Sequence, residues 1–279
     1  MRRHGRTRPV AAHHEAVTSS IPDPLNPDLA DLLAREPLPA VPIRTADVRY
    51  VHDGTTLLGH LAMPGGDGPF PGVLVVHDWF GVGDHVRVRC ELLARLGYAA
   101  FAADIYGEGV RPATGAEASE VARGFYGDLS LLRARAAAGL ARLAAEPAVD
   151  ASRLAAIGYC FGGSTVLQLA RSGADLAGVV SFHGGLQTGP PGEAAAIRAS
   201  VLVLTGAADP VVPDSAIVAF QDELRQAPGV EWQIVTYSGA MHAFSVPGTD
   251  APAHGAQFQA TAERRSWVAM KDFLAEVLG

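Results

Sequence analysis

The segment Ile157–Ser164 reads Ile-Gly-Tyr-Cys-Phe-Gly-Gly-Ser and places Cys160 between Gly158 and Gly162. Gly-x-Cys-x-Gly has the spacing of a nucleophile elbow, in which a strand turns sharply into a helix and lifts a reactive side chain above the sheet. The flanking positions need glycine because side chains there would collide with the neighbouring strand and helix. The first amides and the dipole of the helix favour a thiolate or an oxyanion at this point. The spacing therefore predicts that Cys160 is a nucleophile.

Cys160 also has a second interpretation, because a free cysteine is most often a small buried apolar side chain. The motif alone does not separate the two interpretations. A strand-like run over 153–157 precedes it, and a segment with helical spacing over 165–171 follows it. This context is the one that an elbow requires, so it favours the nucleophile.

A thiol nucleophile needs a base that holds the thiolate, and the base needs an orienting group. In a doubly wound sheet, functional groups gather beyond the carboxyl ends of the strands. His242 follows the last predicted strand, and Asp209 follows the strand before it. The order nucleophile, acid, histidine along the chain is that of the α/β-hydrolases. Cys160, His242 and Asp209 are therefore the predicted catalytic residues.

Two other groups near these strand ends receive structural interpretations. Asp214 is the nearest rival to Asp209, but it lies where a helix N-cap is expected, which explains it without catalysis. His77 precedes Asp78 at the end of an apolar strand. Strand alternation turns the His77 side chain away from the side that Asp78 faces. We therefore expect Asp78, and not His77, to face the site.

The main chain is predicted to form an oxyanion hole beside Cys160. Such a site uses the backbone N–H of the residue after the nucleophile and one from the loop after the third strand. These positions are Phe161 and Trp79. Both act through the backbone, so their side chains serve only to shape the pocket.

The elements that must position these residues alternate regularly. Alternation over Asp47–His52 and Thr56–Met63, around an Asp-Gly turn, predicts an antiparallel hairpin at a sheet edge. Further strands are predicted over 72–77, 99–103, 176–182, 200–205 and 231–237. Helices are predicted over 85–96, 116–126, 129–145, 215–226 and 261–278. This alternation predicts a mostly parallel, doubly wound sheet with helices on both faces, and the order of the three candidate residues along the chain is the one expected of the α/β-hydrolase fold.

The 279 residues suffice for one large α/β domain, predicted over residues 44–279. Residues 1–43 are rich in Arg, His, Pro and small polar residues, and they are predicted to be an N-terminal extension, partly disordered or draped on the surface. One short helical pattern lies at Pro27–Arg35. The three histidines near the start of the extension, His4, His13 and His14, have no acidic or thiol partner at ligand spacing, so no metal site is predicted there.

Charge and composition limit the partners and the compartment. The formal charge of −7 argues against general affinity for nucleic acid. No segment approaches ~18 uninterrupted apolar residues, and no apolar stretch follows the basic start, so neither a membrane span nor export is predicted. Cys90 and Cys160 are too few for a disulfide scaffold, and a nucleophilic thiol must stay reduced, so the cytoplasm is predicted. We expect a small-molecule substrate and a monomer or homodimer.

With these residues assembled, the chain resembles the dienelactone hydrolase (carboxymethylenebutenolidase) family over about residues 45–278. The segments that carry the resemblance are 77–84, 158–163, 206–209, 242–244 and 263–270. The resemblance implies that a Cys–His–Asp triad opens an ester or lactone through a thioester, without a metal or organic cofactor. It implies that Cys160 attacks, that His242 shuttles the proton and that Asp209 orients His242.

Two positions depart from the family pattern. The family usually carries a Glu, which contacts the thiol, where this chain has the shorter Asp78, so a supporting contact from Asp78 to Cys160 is the expectation to test. Dienelactone-cleaving members also place an Arg shortly after the catalytic His to hold the substrate carboxylate. In this chain Ser245-Val246-Pro247 follow Phe244, and an apolar residue cannot supply that bidentate clamp. We therefore expect a substrate other than dienelactone.

Further pocket residues are predicted with less support from spacing. They are Phe80, Tyr159, Arg123, His183 and Phe244. An arginine between the fourth strand and the elbow, Arg123 or Arg111, could bind an anion, although an ordinary surface position explains either one. The glycines of the loop 184–192 would permit it to move as a lid.

Three functions stay open from the sequence. The first is hydrolysis of a small ester or lactone through a thioester. The second keeps the site but changes the reaction to cyclisation, isomerisation or acyl transfer in a biosynthetic pathway. The third is a non-catalytic module that uses the pocket to bind a ligand.

Overall fold

The computed structural model describes residues 25–279, in which eight strands form one sheet. The strands are β1 (Ile43–His52), β2 (Thr55–Pro64), β3 (Phe70–Val76), β4 (Ala99–Ala103), β5 (Val149–Tyr159), β6 (Gly178–Phe182), β7 (Ser200–Gly206) and β8 (Trp232–Tyr237). Their spatial order is β1-β2-β4-β3-β5-β6-β7-β8. The β1–β2 hairpin lies at the edge, where β2 pairs antiparallel with β4, and all later neighbours are parallel. The predicted fold, a mostly parallel α/β-hydrolase sheet, is confirmed.

Seven α-helices of the described residues cover both faces of the sheet. They are α1 (Pro27–Leu33), α2 (Asp84–Arg95), α3 (Gly115–Gly127), α4 (Leu129–Ala144), α5 (Phe161–Arg171), α6 (Asp214–Arg225) and α7 (Ala260–Leu278). Helices α1, α2 and α7 pack on one face, and α4, α5 and α6 pack on the other, with α3 against α4. On β3, Val73 and Val75 face the first group and Leu74 and Val76 face the second. A central strand buried on both faces explains the continuous apolar run in its sequence.

Most predicted bounds agree with the structure within two residues, and one capping prediction is wrong. Helix α6 begins at Asp214, and the preceding Pro213 takes the N-cap position without a side-chain capping hydrogen bond. Asp214 is exposed in the first turn, where its charge complements the helix dipole. A small hairpin of β9 (Asp250–Ala251) and β10 (Ala256–Gln257), which the sequence did not predict, follows β8.

The part of the predicted extension that the structure describes packs against the domain. Leu29 and Leu32 of α1 are buried with the residues of α2. Arg95 of α2 donates to the carbonyl oxygens of Leu33, the last residue of α1, and of Glu36 just beyond it. The predicted disorder and the three early histidines fall on residues 1–24, outside the described residues. No helix among residues 25–279 is long and apolar enough to cross a membrane.

Candidate active site

Cys160 occupies the turn between the end of β5 and the start of α5 with a positive φ of 53°. Its N–H donates to the Phe182 carbonyl oxygen of the next strand at 2.9 Å. A Cβ on Gly158 would overlap the carbonyl oxygen of Gly162, and a Cβ on Gly162 would overlap that of Val76. The backbone is thus closely packed on both sides of a strained cysteine, as the elbow motif requires.

Replacing Gly162 by Ala is expected to destabilise the protein by about 3 kcal/mol or more, because the new methyl group meets rigid backbone. Chemical denaturation measures this loss. Gly124→Ala in α3 is the matched control, since a Cβ there meets no atom within 4 Å. The control is expected to be neutral or stabilising by up to about 1 kcal/mol. Equal stability of the two variants would contradict the close packing at the elbow.

The structure brings Cys160, His242 and Asp209 together in one hydrogen-bonded row. His242 Nε2 lies 3.1 Å from Cys160 Sγ, and His242 Nδ1 lies 2.9 Å from Asp209 Oδ2. Asp209 follows β7 and is buried, and its Oδ1 accepts from the N–H of Val211 at 2.8 Å. His242 follows β8. The three strand ends therefore deliver the three side chains to one point, which is the arrangement that nucleophilic catalysis uses.

The backbone around His242 is held by the β9–β10 hairpin. The His242 N–H donates to the Gly255 carbonyl oxygen at 2.9 Å, and the Gln257 N–H donates to the His242 carbonyl oxygen at 3.0 Å. The next residue, Ala243, has a positive φ of 56°. A non-glycine residue in this conformation persists only where its surroundings impose it. The two hydrogen bonds supply part of that constraint.

The electrostatics of the row favour a charged imidazole. Burial by itself would lower the pKa of His242, but the hydrogen bonds with Asp209 and Cys160 outweigh it and raise that pKa to about 10. His242 is then protonated at neutral pH while it contacts the sulfur. An imidazolium beside a thiol favours the thiolate, which is the nucleophilic form.

Phe161 and Trp79, whose backbone N–H groups are the predicted oxyanion donors, line the same pocket as Cys160. Phe161 is the first residue of α5 and Trp79 follows β3, and neither N–H has an acceptor among residues 25–279. The Trp79 carbonyl oxygen accepts from the hydroxyl of Tyr106 at 3.2 Å, which fixes the orientation of this loop. Free N–H groups at these positions are what an oxyanion site offers to a substrate carbonyl.

The row opens into a pocket of about 940 Å³, which aromatic and aliphatic side chains dominate. The pocket includes the predicted Phe80 and Arg123, and the Arg123 Nε–H donates to the Ser119 carbonyl oxygen. Its other side chains were missed from the sequence. They include Tyr126, Gln187, Val211, Val246, Thr249, Asp250 and His254. They come from α3, from the β9–β10 hairpin and from loops whose mutual approach depends on tertiary packing, so no local pattern marks them.

Three predicted pocket residues lie elsewhere, which corrects the sequence interpretation. Tyr159, His183 and Phe244 are at most 1% exposed and do not line the pocket. Tyr159 points into the α2 side of the sheet, where its ring stacks on Phe182 at 4.6 Å between centroids. His183 and Phe244 contact each other behind His242. Nearness to the strand ends was a correct guide to the region, but it did not give the direction of these side chains.

The comparisons with known proteins decide the family. The model of the dienelactone hydrolase family matches residues 57–278, which is more than half of the chain. The chain belongs to the dienelactone hydrolase family. The resemblance expected from the sequence is confirmed, and the protein is an enzyme of the class that hydrolyses carboxylic esters and lactones.

Relatives agree with this assignment in sequence and in fold. The solved structure of a protein named m3DLH is 43% identical, with a TM-score of 0.81, and the match covers 85% of this chain and 99% of that one. A dienelactone hydrolase-like promiscuous phosphotriesterase from metagenomic libraries is also 43% identical, with a TM-score of 0.80 and the same coverage. A protein of Methylorubrum extorquens named "Putative carboxymethylenebutenolidase" is 32% identical over 194 residues, which are 66% of each chain.

Asp78, which stands where the dienelactone hydrolase family usually has the longer Glu, does not make the expected contact with the thiol of Cys160. It lines the pocket, but its Oδ1 accepts from the N–H of Phe80 at 2.8 Å, and the hydrogen bond of the sulfur is with His242. The carboxylate of the shorter Asp side chain accepts its hydrogen bond from a nearby backbone N–H. The neighbouring His77 is buried and bonded to the Asp78 carbonyl oxygen and the Ile105 N–H, so its predicted structural position is confirmed.

Replacing Asp78 by Asn is expected to stabilise this family member at neutral pH by on the order of 2 kcal/mol. Burial raises the pKa of Asp78 to about 6, so the folded protein binds its proton more tightly than the unfolded chain does. The stability that this proton supplies is present near pH 4 and is lost as the pH rises through about 6. Asn keeps the acceptor for Phe80 without the buried charge. Denaturation at both pH values measures the difference, and a gain independent of pH would show that the buried charge is not its cause.

The loop 184–192, considered as a lid, is tied down at two places. A Cβ on Gly184 would overlap Gly163 and Ser164 at the start of α5, so this glycine is explained by close packing. The Gly189 N–H donates to Glu223 Oε1 of α6 at 3.1 Å.

Within residues 25–279, no group of three or more His, Cys, Asp or Glu side chains lies close enough to hold a metal ion.

Proposed function

We propose that this protein is a cysteine-dependent hydrolase that cleaves a neutral ester or lactone through a thioester on Cys160. The observation that carries the proposal is the row from Asp209 through His242 to Cys160, with contacts of 2.9 and 3.1 Å. A base placed within hydrogen-bond distance of a nucleophile, and itself oriented by a carboxylate, is the arrangement that covalent acyl transfer requires.

In the first half-reaction, the thiolate of Cys160 attacks the carbonyl carbon of the substrate. The carbonyl oxygen becomes an oxyanion that accepts hydrogen bonds from the Phe161 and Trp79 N–H groups. The carbon–oxygen bond of the ester then breaks, and the His242 imidazolium gives its proton to the departing alkoxide. The products are a thioester on Cys160 and an alcohol, which stays tethered to the acyl group if the substrate is a lactone.

In the second half-reaction, neutral His242 removes a proton from water, and the hydroxide attacks the thioester carbon. The carbon–sulfur bond breaks and leaves a carboxylic acid and the thiolate, with the proton on His242 as in the resting pair. Asp209 keeps the imidazole in the tautomer and orientation that both steps need, and it stabilises the imidazolium.

The lining of the pocket supports a neutral substrate. Val246, from the segment where the family places a carboxylate-binding Arg, contributes an apolar surface, and Asp78 and Asp250 are two acidic residues of the lining. Arg123 is the cationic side chain on the opposite helix α3, and its Nε–H is used by a backbone carbonyl of the same helix. The segment after His242 therefore offers a substrate carboxylate no paired donors of the kind that an Arg clamp supplies.

A matched pair of esters tests the substrate class. p-Nitrophenyl butyrate and the p-nitrophenyl monoester of succinic acid have acyl chains of similar length, and only the second carries a carboxylate. We expect kcat/KM to be at least about 10-fold higher for the neutral ester, since an unpaired charge costs at least that much on binding. A phosphotriester belongs in the same panel, because a relative at 43% identity is named a promiscuous phosphotriesterase. A preference for the anionic ester would contradict the assignment of a neutral substrate.

Labelled water separates hydrolysis from the two other hypotheses. Hydrolysis places one oxygen atom from the solvent in the released acid, whereas cyclisation, isomerisation and acyl transfer do not. A binding module would give no product at all. We expect solvent oxygen in the acid in proportion to turnover, and its absence from a product that does form would replace hydrolysis by a transfer or cyclisation reaction.

A further inference from the structure

Arg89 of α2 is 1% exposed, and no step of the proposed reaction uses it. Its Nη2 donates to the Ser245 carbonyl oxygen at 2.8 Å, and its Nη1 donates to Glu263 Oε1 at 3.1 Å. Its guanidinium also lies over the rings of Tyr159 and Trp267, 5.3 and 4.9 Å from their centroids. Burying a charge is costly, and partners on every side both compensate the cost and fix the group in one place.

Glu263, the first acidic residue of α7, pairs with Arg89 and with a second arginine. It is 1% exposed, and its second oxygen, Oε2, accepts from Arg35 Nη1. Arg35 comes from the segment between α1 and β1, which precedes the residues 57–278 matched by the family. One buried carboxylate therefore joins three parts of the chain: the N-terminal segment, α2 and α7.

The cluster contacts the loop that carries His242. Ser245 is three residues after His242 and is fully buried, and its carbonyl oxygen accepts from Arg89. Its Oγ lies 2.8 Å from His183 Nε2, and the His183 ring meets the His242 ring edge-on, with 5.3 Å between centroids. Backbone and side chain of Ser245 are thus both held from behind the site. A movement of this residue would displace His242.

We propose that Arg89 and Glu263 are positioning residues, which hold His242 at its working distance from Cys160 through Ser245, and that Arg35 of the N-terminal segment supports them. The proposal rests on the proposed function, because it assigns their effect to the His242–Cys160 pair. Proton transfer between two groups depends steeply on their separation, which is 3.1 Å in this pair. The resemblance segment 263–270, which none of the catalytic steps uses, thereby gains a role.

The double variant Arg89→Met/Glu263→Met tests the proposal without leaving one buried charge unpaired, since apolar replacements of a whole ion pair are often tolerated. We expect kcat for p-nitrophenyl butyrate to decrease about 10- to 100-fold with KM nearly unchanged. The ultraviolet absorbance of the thiolate and the rate of Cys160 alkylation by iodoacetamide should decrease with it. Glu263→Gln, which keeps the shape of the side chain, should change kcat in the same direction. Arg35→Met, which keeps the inner pair, should give a smaller decrease.

Arg87→Met is the matched control, because Arg87 lies on the same helix and pairs with Asp47 at the other end of the sheet. It should lose stability without a change in kcat or thiolate absorbance. A folded double variant with the kcat, thiolate absorbance and alkylation rate of the wild type would overturn the proposal. A wild-type kcat in Arg35→Met would show that Arg35 of the N-terminal segment has no part in positioning His242.

Failure of the proposed function can be told apart from failure of this positioning role by the effect of iodoacetamide on turnover. If wild-type turnover is insensitive to iodoacetamide, the cysteine mechanism is wrong. The alkylation rates of the variants then still report whether Arg89 and Glu263 control the His242–Cys160 pair.

Discussion

Replacing Cys160 by Ala is expected to reduce kcat for ester hydrolysis by on the order of 10⁵-fold, because the variant has no nucleophile and triad members act as a unit. The backbone of the elbow should remain folded, since alanine fits the space of the thiol. Steady-state hydrolysis of p-nitrophenyl butyrate measures the loss. Residual turnover within 10-fold of the wild type, as an approximate limit, would show that another group carries the reaction.

Two companion variants sharpen this result. Cys160→Ser keeps a hydroxyl at the same position, but the alcohol is far harder to ionise than a thiol, so only slow or stalled chemistry is expected. Cys90→Ala is the matched control, because Cys90 is the other cysteine of the chain, fully buried in α2. Burial raises the pKa of the Cys90 thiol, so iodoacetamide should spare it and inactivate the enzyme through Cys160. Wild-type turnover in Cys160→Ser would contradict a thiolate mechanism.

Replacing Asp209 by Asn is expected to reduce kcat by about 10³- to 10⁴-fold. The hydrogen bond that His242 donates to Asp209 is the first of the contacts that raise the pKa of His242 against the effect of burial. Without the carboxylate, the pKa of His242 falls, the imidazolium is less populated at neutral pH, and the thiolate loses its counter-ion. The amide also permits the wrong tautomer of the ring. The pH profile of kcat/KM should therefore change in shape as well as in height.

Asp214→Asn is the control for this experiment, since Asp214 is the nearest acidic residue along the chain and is exposed at the start of α6. Its loss should leave kcat unchanged and reduce stability by at most about 1 kcal/mol through the helix dipole. If Asp214→Asn and Asp209→Asn had equal effects on kcat, the assignment of the orienting acid would be wrong.

The sequence could predict the fold and the meeting of three side chains because both follow from local rules. Parallel strands bring their carboxyl ends to one edge, so Asp209 and His242 had to approach the elbow once their strands were recognised. The glycines around Cys160 likewise report a steric demand that is visible in the motif. The catalytic roles of these residues remain proposals that the variants above test.

The remaining features depend on contacts between distant parts of the chain. The direction of the Asp78 side chain follows from a backbone N–H that only the folded loop presents. The inward position of Tyr159 follows from packing against α2 and β6. The cluster of Arg89 and Glu263 joins residues 174 positions apart, and neither residue has a neighbour in sequence that indicates the other. No spacing rule covers such pairs.

The most direct test of the central claim is a rapid-quench mass spectrum of the enzyme during turnover of p-nitrophenyl butyrate. We expect a butyryl group on the peptide that contains Cys160, formed at the rate of the p-nitrophenol burst, and its disappearance when the substrate is exhausted. A butyryl group on another residue would contradict a thioester at Cys160. A burst of p-nitrophenol without any acyl-enzyme would contradict it as well.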